Sequence, residues 1–265
     1  MRITLACAWQ ERGEFARFER FLPRLHNIYN RIVVALNPDA HADIRAGLER
    51  LNVPYVVYGD WSGRHDVMKL ALRTPCDFVH YVDMDRLLRW IELCPGELVQ
   101  TVARLQMSDC LIIGRTEAAY ATHPRSLIET ERLVNEVFTH WFRQQEAAFT
   151  EHSTVDFCAG SKGFSRRAAD YLMAANANGD ALHMDVAWPI LLQQRSFSLD
   201  YAEVDGLDWE TADRYLPQAA TAQQQTSLAA EKDADPVHWA LRVRVAQNII
   251  QAGFRVMEQT RGEPG

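Results

Sequence analysis

The first 82 residues alternate between two hydrophobic periods, and that alternation restricts the chain to a narrow set of folds. Ile3-Thr4-Leu5-Ala6-Cys7 opens a strand near residues 3–9, after which Phe15, Phe18, Leu22 and Leu25 recur at the three- and four-residue steps of a helix. A second strand follows at Arg31–Leu36, then a helical stretch near 40–51, a β-rich run over 53–58, a helix near 64–73 halted by Pro75, and a strand at Phe78–Val82. The order βαβαβαβ predicts an α/β domain with a mostly parallel sheet and helices on both faces, because strands that read as continuous apolar runs need cover on both sides. Ligands of such sheets sit beyond the carboxyl ends of the strands, so function is expected there.

The second half is less regular. A strand is expected at 110–114, then a long helix opening on Ser126-Leu127-Ile128-Glu129, which has capping-box spacing. A short strand near 155–159 precedes a Gly-rich turn, Gly160-Ser161-Lys162-Gly163, and a helix start at Arg166-Arg167, with a further helix over 186–192. Residues 217–235 carry Ala, Gln, Thr and Asp with almost no large apolar side chain and are expected to form a mobile loop, either a lid that orders over the bound donor or a linker. Asp235-Pro236 then supplies a helix cap and first position for a terminal helix, 236–265, packing on a domain that ends near 216.

Charge narrows the function classes. The 35 acidic and 28 basic residues leave a net charge of −7, which argues against a nucleic-acid partner, since such binding draws on cations that release counterions. The five cysteines include no C-x-x-C pair, so they are expected to be reduced core residues. With no apolar run near the ~20 residues of a membrane span and no signal-peptide core, a cytoplasmic protein is expected.

The chemistry concentrates at Tyr81-Val82-Asp83-Met84-Asp85, where an apolar strand runs into two carboxylates spaced i, i+2. On extended chain both point to one side. Paired carboxylates at a strand end offer hard oxygen ligands for Mg²⁺ or Mn²⁺, ions that keep positions open for phosphate oxygens. The same acids also suit the first turn of a following helix, and that reading stays open.

The strand ending near Ala8-Trp9, the βαβαβ pattern, Asp83-Met84-Asp85 and the acidic helix start near Asp185 together resemble glycosyltransferases of the GT-A (nucleotide-diphospho-sugar transferase) fold, family-2-like, over roughly residues 3–215. The resemblance implies an inverting hexosyltransferase that takes a nucleotide-diphosphate sugar, bridges its diphosphate to the D-x-D motif through a divalent ion, and transfers the sugar to a hydroxyl acceptor. It assigns 1–109 to the nucleotide and 110–216 to the acceptor. Ala8, Trp9, Glu11, Asn37 and Asp60 then fall around the nucleoside, although Trp9 also suits the core and Asp60 a loop or cap. Arg64 is placed to reach the diphosphate, and Gly160 and Lys162 lie in the loop that approaches the donor; a solvated face remains open for both cations. Asp185 becomes the candidate base or else a helix cap, and His183 a third metal ligand alongside Asp83 and Asp85. The chain departs from family 2 in having Arg86 after the motif, Met184 before Asp185, and no Q-x-x-R-W. Two alternatives share much of this pattern: a sugar nucleotidyltransferase, which would carry a Gly-rich, basic loop after the first strand, and a non-catalytic sugar-nucleotide binder.

Overall fold

The computed structural model describes residues 1–59, 62–145, 149, 151–175 and 184–261, with side chains through 258. Seven strands, β1 (Ile3–Trp9), β2 (Arg31–Leu36), β3 (Tyr55–Val57), β4 (Phe78–Val82), β5 (Cys110–Arg115), β6 (Ser161–Ser165) and β7 (Leu199–Val204), form one sheet in the order β3-β2-β1-β4-β6-β5-β7. Every pairing is parallel except those of β6, which runs antiparallel between β4 and β5. This is the mostly parallel, helix-covered α/β sheet that the resemblance to GT-A transferases implies. Chain order reverses at β1, which has β2 on one side and β4 on the other, so the crevice beyond the carboxyl ends of β1 and β4 is a topological switch point.

Side chains on successive strand residues point to opposite faces, and the sheet therefore separates two cores. Leu5, Cys7 and Trp9 of β1 pack with Phe18, Phe21, Leu22 and Leu25 of α1 (Phe15–Ile28), Ile44 and Leu48 of α2 (Ala42–Arg50), Leu87, Leu88 and Trp90 of α4 (Met84–Leu93), and Leu98 of α5 (Pro95–Arg104). Ala6 faces the other core, built by α3 (Gly63–Leu72), α7 (Arg125–Gln144), α8 (Arg166–Ala175), α9 (Ala187–Gln194) and α11 (Pro236–Arg261). The remaining helices are the short α6 (Glu117–Tyr120) and α10 (Ala222–Ala234). Among the described residues no helix is long and apolar enough to cross a membrane.

Four local expectations are corrected. Residues 160–163 do not form a free turn: Ser161–Ser165 is β6, and its Gly163 is needed because a Cβ there would sit 2.0 Å from Leu105 Cδ2. Residues 155–159 are not a strand, since Asp156 organises this stretch by accepting hydrogen bonds from Arg115, Asn135 Nδ2 and the Cys158 amide in place of a ladder. The capping box at Ser126 is absent; α7 begins after Pro124, and its first amides, Arg125 N and Ser126 N, donate at 2.7 and 2.8 Å to the Asp233 carboxylate of α10. The 217–235 segment contains α10, a 13-residue helix opened by a capping box between Thr221 and Gln224. Its polar composition is that of a helix touching the body along one edge, where Gln225 donates to Asp208 and the Trp209 carbonyl. The expected cap at Asp235 is present, accepting from Val237 N at 2.9 Å.

Candidate functional site

Asp83 ends β4 at the switch point and begins α4 without a side-chain cap bond, so its carboxylate is directed away from the helix amides. Tyr81, two residues back on the same face, donates its hydroxyl to Asp83 Oδ1. Arg64, near the start of α3, donates to Asp83 Oδ2 at 3.1 Å and, through its other terminal nitrogen, to Asp185 Oδ1 at 2.9 Å. Burial by itself would raise the Asp83 pKa, but Arg64 and Arg86 with the Tyr81 hydroxyl outweigh it and hold the carboxyl below its ordinary value.

Asp85 has the opposite balance. Burial, then the charges of Glu210 and Asp83, push it up to about 7 against the weaker pull of Arg86 and Arg12. Arg12, three residues beyond β1, has its Nη1 3.6 Å from Asp85 Oδ2. Glu210 opens the 3-10 turn Glu210–Asp213 after β7; it is buried, faces Arg86 Nε at 3.7 Å, and its Oε2 has no hydrogen-bond partner among the described residues. Asp83, Asp85 and Glu210 thus meet the guanidiniums of Arg12, Arg64 and Arg86 at one strand end, with Arg64 shared with Asp185, and burial together with the neighbouring acids is what raises the Asp85 pKa to about 7.

Gly160 is required here by close approach. Its φ is +69°, and a Cβ would lie 2.6 Å from Asp83 Oδ2 and 2.9 Å from Arg86 Nη1. Its carbonyl accepts from Asp83 N at 3.3 Å, while Arg86 Nη1 donates to the neighbouring Ala159 carbonyl. The 156–160 stretch is in this way pinned against the D-x-D acids.

The other sequence candidates separate into those the fold brings to the crevice and those it does not. Ala8 is half-buried near the end of β1, and Asn37, just beyond β2, donates its amide to the Trp9 carbonyl at 3.0 Å, so both border the crevice. Trp9 is turned into the core, stacked 6.1 Å from Phe15 and tilted against Phe18, where it cannot reach a base. Glu11 accepts from Gly13 N and Phe15 N at 2.7 and 3.2 Å and so serves the start of α1. Lys162 lies inside β6, fully buried, donating at 2.7 Å to the Phe157 carbonyl, and burial lowers its pKa. Asp185 is buried and held by Arg64; the cap position of α9 is occupied by Val186, so the helix-cap reading of Asp185 does not stand. Asp60 and His183 lie outside the described residues.

Arg12 and the full role of Glu210 escaped sequence reasoning. Arg12 carried a usable signal, its place just past a strand end at the switch point; Glu210 is one of several acids after β7, of which Asp205 and Asp208 are engaged elsewhere, by Thr116 and Arg89, and no local pattern sets it apart from them.

Among the described residues no three His, Cys, Asp or Glu side chains are gathered closely enough to hold a metal by themselves. The donor set nevertheless fits an ion of the Mg²⁺ type, which uses one or two carboxylates and completes its shell with substrate phosphates and water. Glu210 Oε2, buried near Asp85 without a hydrogen-bond partner among the described residues, is the kind of group such an ion or its waters would satisfy.

No protein-family model and no curated protein sequence matches this chain. Among solved structures, glucosyl-3-phosphoglycerate synthase from Mycobacterium tuberculosis, in complex with Mn²⁺, UDP-glucose and phosphoglyceric acid, is similar at 10% identity and a TM-score of 0.49, over 91% of this chain and 79% of that one. A 4-diphosphocytidyl-2C-methyl-D-erythritol synthase from Anaerococcus prevotii is similar at 10% identity and a TM-score of 0.45, over 87% of this chain and 96% of that one. At these identities no chemistry transfers from either protein.

Proposed function

We propose that the chain is a glycosyltransferase that moves a sugar from a nucleotide-diphosphate donor to a hydroxyl acceptor with the help of Mg²⁺ or Mn²⁺. The observation that carries this reading is the placement of Asp83 and Asp85 at the topological switch point, with the buried Glu210, whose Oε2 has no hydrogen-bond partner among the described residues, beside them. Asp83 and Asp85 would hold the ion, which would supply positive charge to the departing diphosphate. Arg64 spans Asp83 and Asp185 and so ties the candidate base to the D-x-D end of the donor site. Asp185 is the candidate general base that takes the proton from the acceptor hydroxyl as the sugar leaves with inversion.

The nucleotidyltransferase reading fits less well for a physical reason. That chemistry needs free backbone amides after the first strand to cradle a triphosphate. Here those amides are taken: Arg12 N donates to Glu14 at 2.5 Å, and Gly13 N and Phe15 N donate to Glu11. Two carboxylates occupy the position a triphosphate would need.

A thermal-shift screen of nucleoside diphosphate sugars with and without Mn²⁺ tests the donor site, since a ligand at 100 Kd adds about 2.7 kcal/mol of stability. One donor class should stabilise the chain only with metal, and Asp85→Asn should abolish that dependence while the fold remains. An unchanged Mn²⁺ dependence in the variant would place the site elsewhere. For the base, Asp185→Asn should lower kcat by at least ~10²-fold with donor binding intact; near-wild-type turnover, or a product of retained anomeric configuration, would remove Asp185 from that role. Metal-dependent donor binding without transfer to any acceptor would leave a binding domain.

A further inference from the structure

Beyond the carboxyl ends of β5 and β7, on the same edge of the sheet as the D-x-D acids, lies a cleft of about 420 Å³ that the donor chemistry above leaves unused. Its volume falls within the ~300–1,000 Å³ of small-molecule clefts. Arg115, the last residue of β5, forms its floor with a fully buried side chain. Arg115 Nε and Nη2 pair with Asp156 at 2.7 and 3.0 Å, and Nη2 also reaches Glu131 at 2.6 Å. Nη1 is buried with no hydrogen-bond partner among the described residues. A buried guanidinium N–H without an acceptor is costly, and this one lies beneath the lining of the cleft.

The cleft joins the donor crevice through the protein itself. Asp156 in its wall is the start of the stretch that ends at Gly160 against Asp83. Cys158, buried between them, donates its amide to Asp156 Oδ1 at 3.2 Å and so belongs to the same short segment.

The charge of the lining discriminates among acceptors. Two guanidiniums, Arg115 and Arg132, stand against four carboxylates, Glu117, Glu136, Asp156 and Glu203. Arg132 is engaged by Glu117 at 2.7 Å and Arg115 by Asp156, which leaves the exposed Glu136 and Glu203 with no ion pair among the described residues. A phosphorylated or carboxylated guest would meet like charge. An ammonium would suit those two carboxylates but would bring a second cation against the buried Arg115 guanidinium under the lining. Hydroxyl groups avoid both conflicts, since each can donate to a carboxylate without adding charge.

We propose that this cleft is the acceptor subsite and that it selects a neutral polyhydroxylated molecule, a sugar or cyclic polyol, over anionic acceptors. The assignment as acceptor subsite rests on the transferase reading; the ligand preference does not.

Saturation-transfer NMR on the whole chain, alone and with UDP and Mg²⁺, using glucose and myo-inositol against glucose 6-phosphate and glucosamine, tests it. Glucose or myo-inositol should bind, with glucose 6-phosphate at least about tenfold weaker. The surface substitutions Glu136→Gln and Glu203→Gln together should narrow that gap by admitting the phosphate. Equal or tighter binding of glucose 6-phosphate to the wild type, a preference for glucosamine, no binding of either polyol in either condition, or an unchanged gap in the double variant overturns the inference. Thermal shift with nucleotide sugars on the same samples keeps the two readings apart. Polyol binding without any metal-dependent donor binding defeats the transferase and leaves the cleft, whereas donor binding without polyol preference defeats the cleft alone.

Discussion

Asp85 sits where burial and the neighbouring Glu210 and Asp83 charges resist its ionisation. The folded chain keeps the Asp85 proton up to about pH 7, against an ordinary value of 3.8, because of burial first and then Glu210 and Asp83. Between those two values the folded state binds more protons than the unfolded one, so this group's contribution to stability is complete below the unfolded value and is lost as pH rises towards 7. Calorimetry at pH 5 and pH 8 should show a larger Tm at the lower value for this reason, and Glu210→Gln should shrink the difference by removing the largest charge that holds the proton. An identical pH response in wild type and variant would separate Glu210 from Asp85. Metal and proton compete for the same oxygens, so stabilisation by Mn²⁺ with a nucleotide sugar should strengthen from pH 5.5 to pH 8.

Helix α7 shows how an element can be completed by a residue far away in sequence. Its opening residues lack a local cap, and the Asp233 carboxylate at the far end of α10 accepts from two of its first amides. An acid at a helix N-terminus satisfies orphan donors and complements the dipole. Because α7 carries Glu131 and Asn135, which hold Arg115 and Asp156, the cap also steadies the cleft wall. Asp233→Ala should cost about 1–2 kcal/mol, read as a drop of a few degrees in Tm, with Asp233→Asn retaining most of the stability. Equal Tm values for the alanine variant and wild type would show that solvent caps α7 as well. The expectation of a loop at 217–235 failed through reliance on apolar content; α10 is built on its Thr221–Gln224 box and on polar contacts, which a hydrophobic pattern does not register.

At the scale of the molecule, two buried arginines tie the chain after β7 to the first half. Arg89 of α4 donates to both oxygens of Asp208 and to Asp213 at 2.7 Å, and Arg17 of α1 joins Asp213 and Glu92. This clamp fixes the 208–213 segment over α4 and thereby sets Glu210 beside Asp85. Arg89→Met should leave Asp208 without its ion-pair partner and Asp213 held by Arg17 alone, at about 3–5 kcal/mol in urea denaturation. The variant should also lose part of the Mn²⁺-dependent donor stabilisation, because Glu210 is no longer held in place. A stability loss with donor binding untouched would confine the clamp to a structural role.

The parts of this protein that sequence alone determined are those governed by neighbours within a few residues. Period-2 and period-3.6 patterning placed β1, β2, β4 and β5 and the early helices, and the order of those elements placed Asp83 and Asp85 beyond a parallel strand at the carboxyl edge. The tertiary structure alone decided the rest: the insertion of β6 antiparallel between β4 and β5, the approach of Gly160 to Asp83, and the meeting of Arg64 with Asp185 across 121 positions. The same holds for Glu210 beside Asp85 and for Arg115 under Asp156. Each of these is a contact whose cost is paid in chain closure and whose gain comes from burial and charge pairing between distant segments. No local period encodes that balance, so paired acids at a strand end are legible in the sequence, while the groups that set their charge become visible only when the sheet has closed around them.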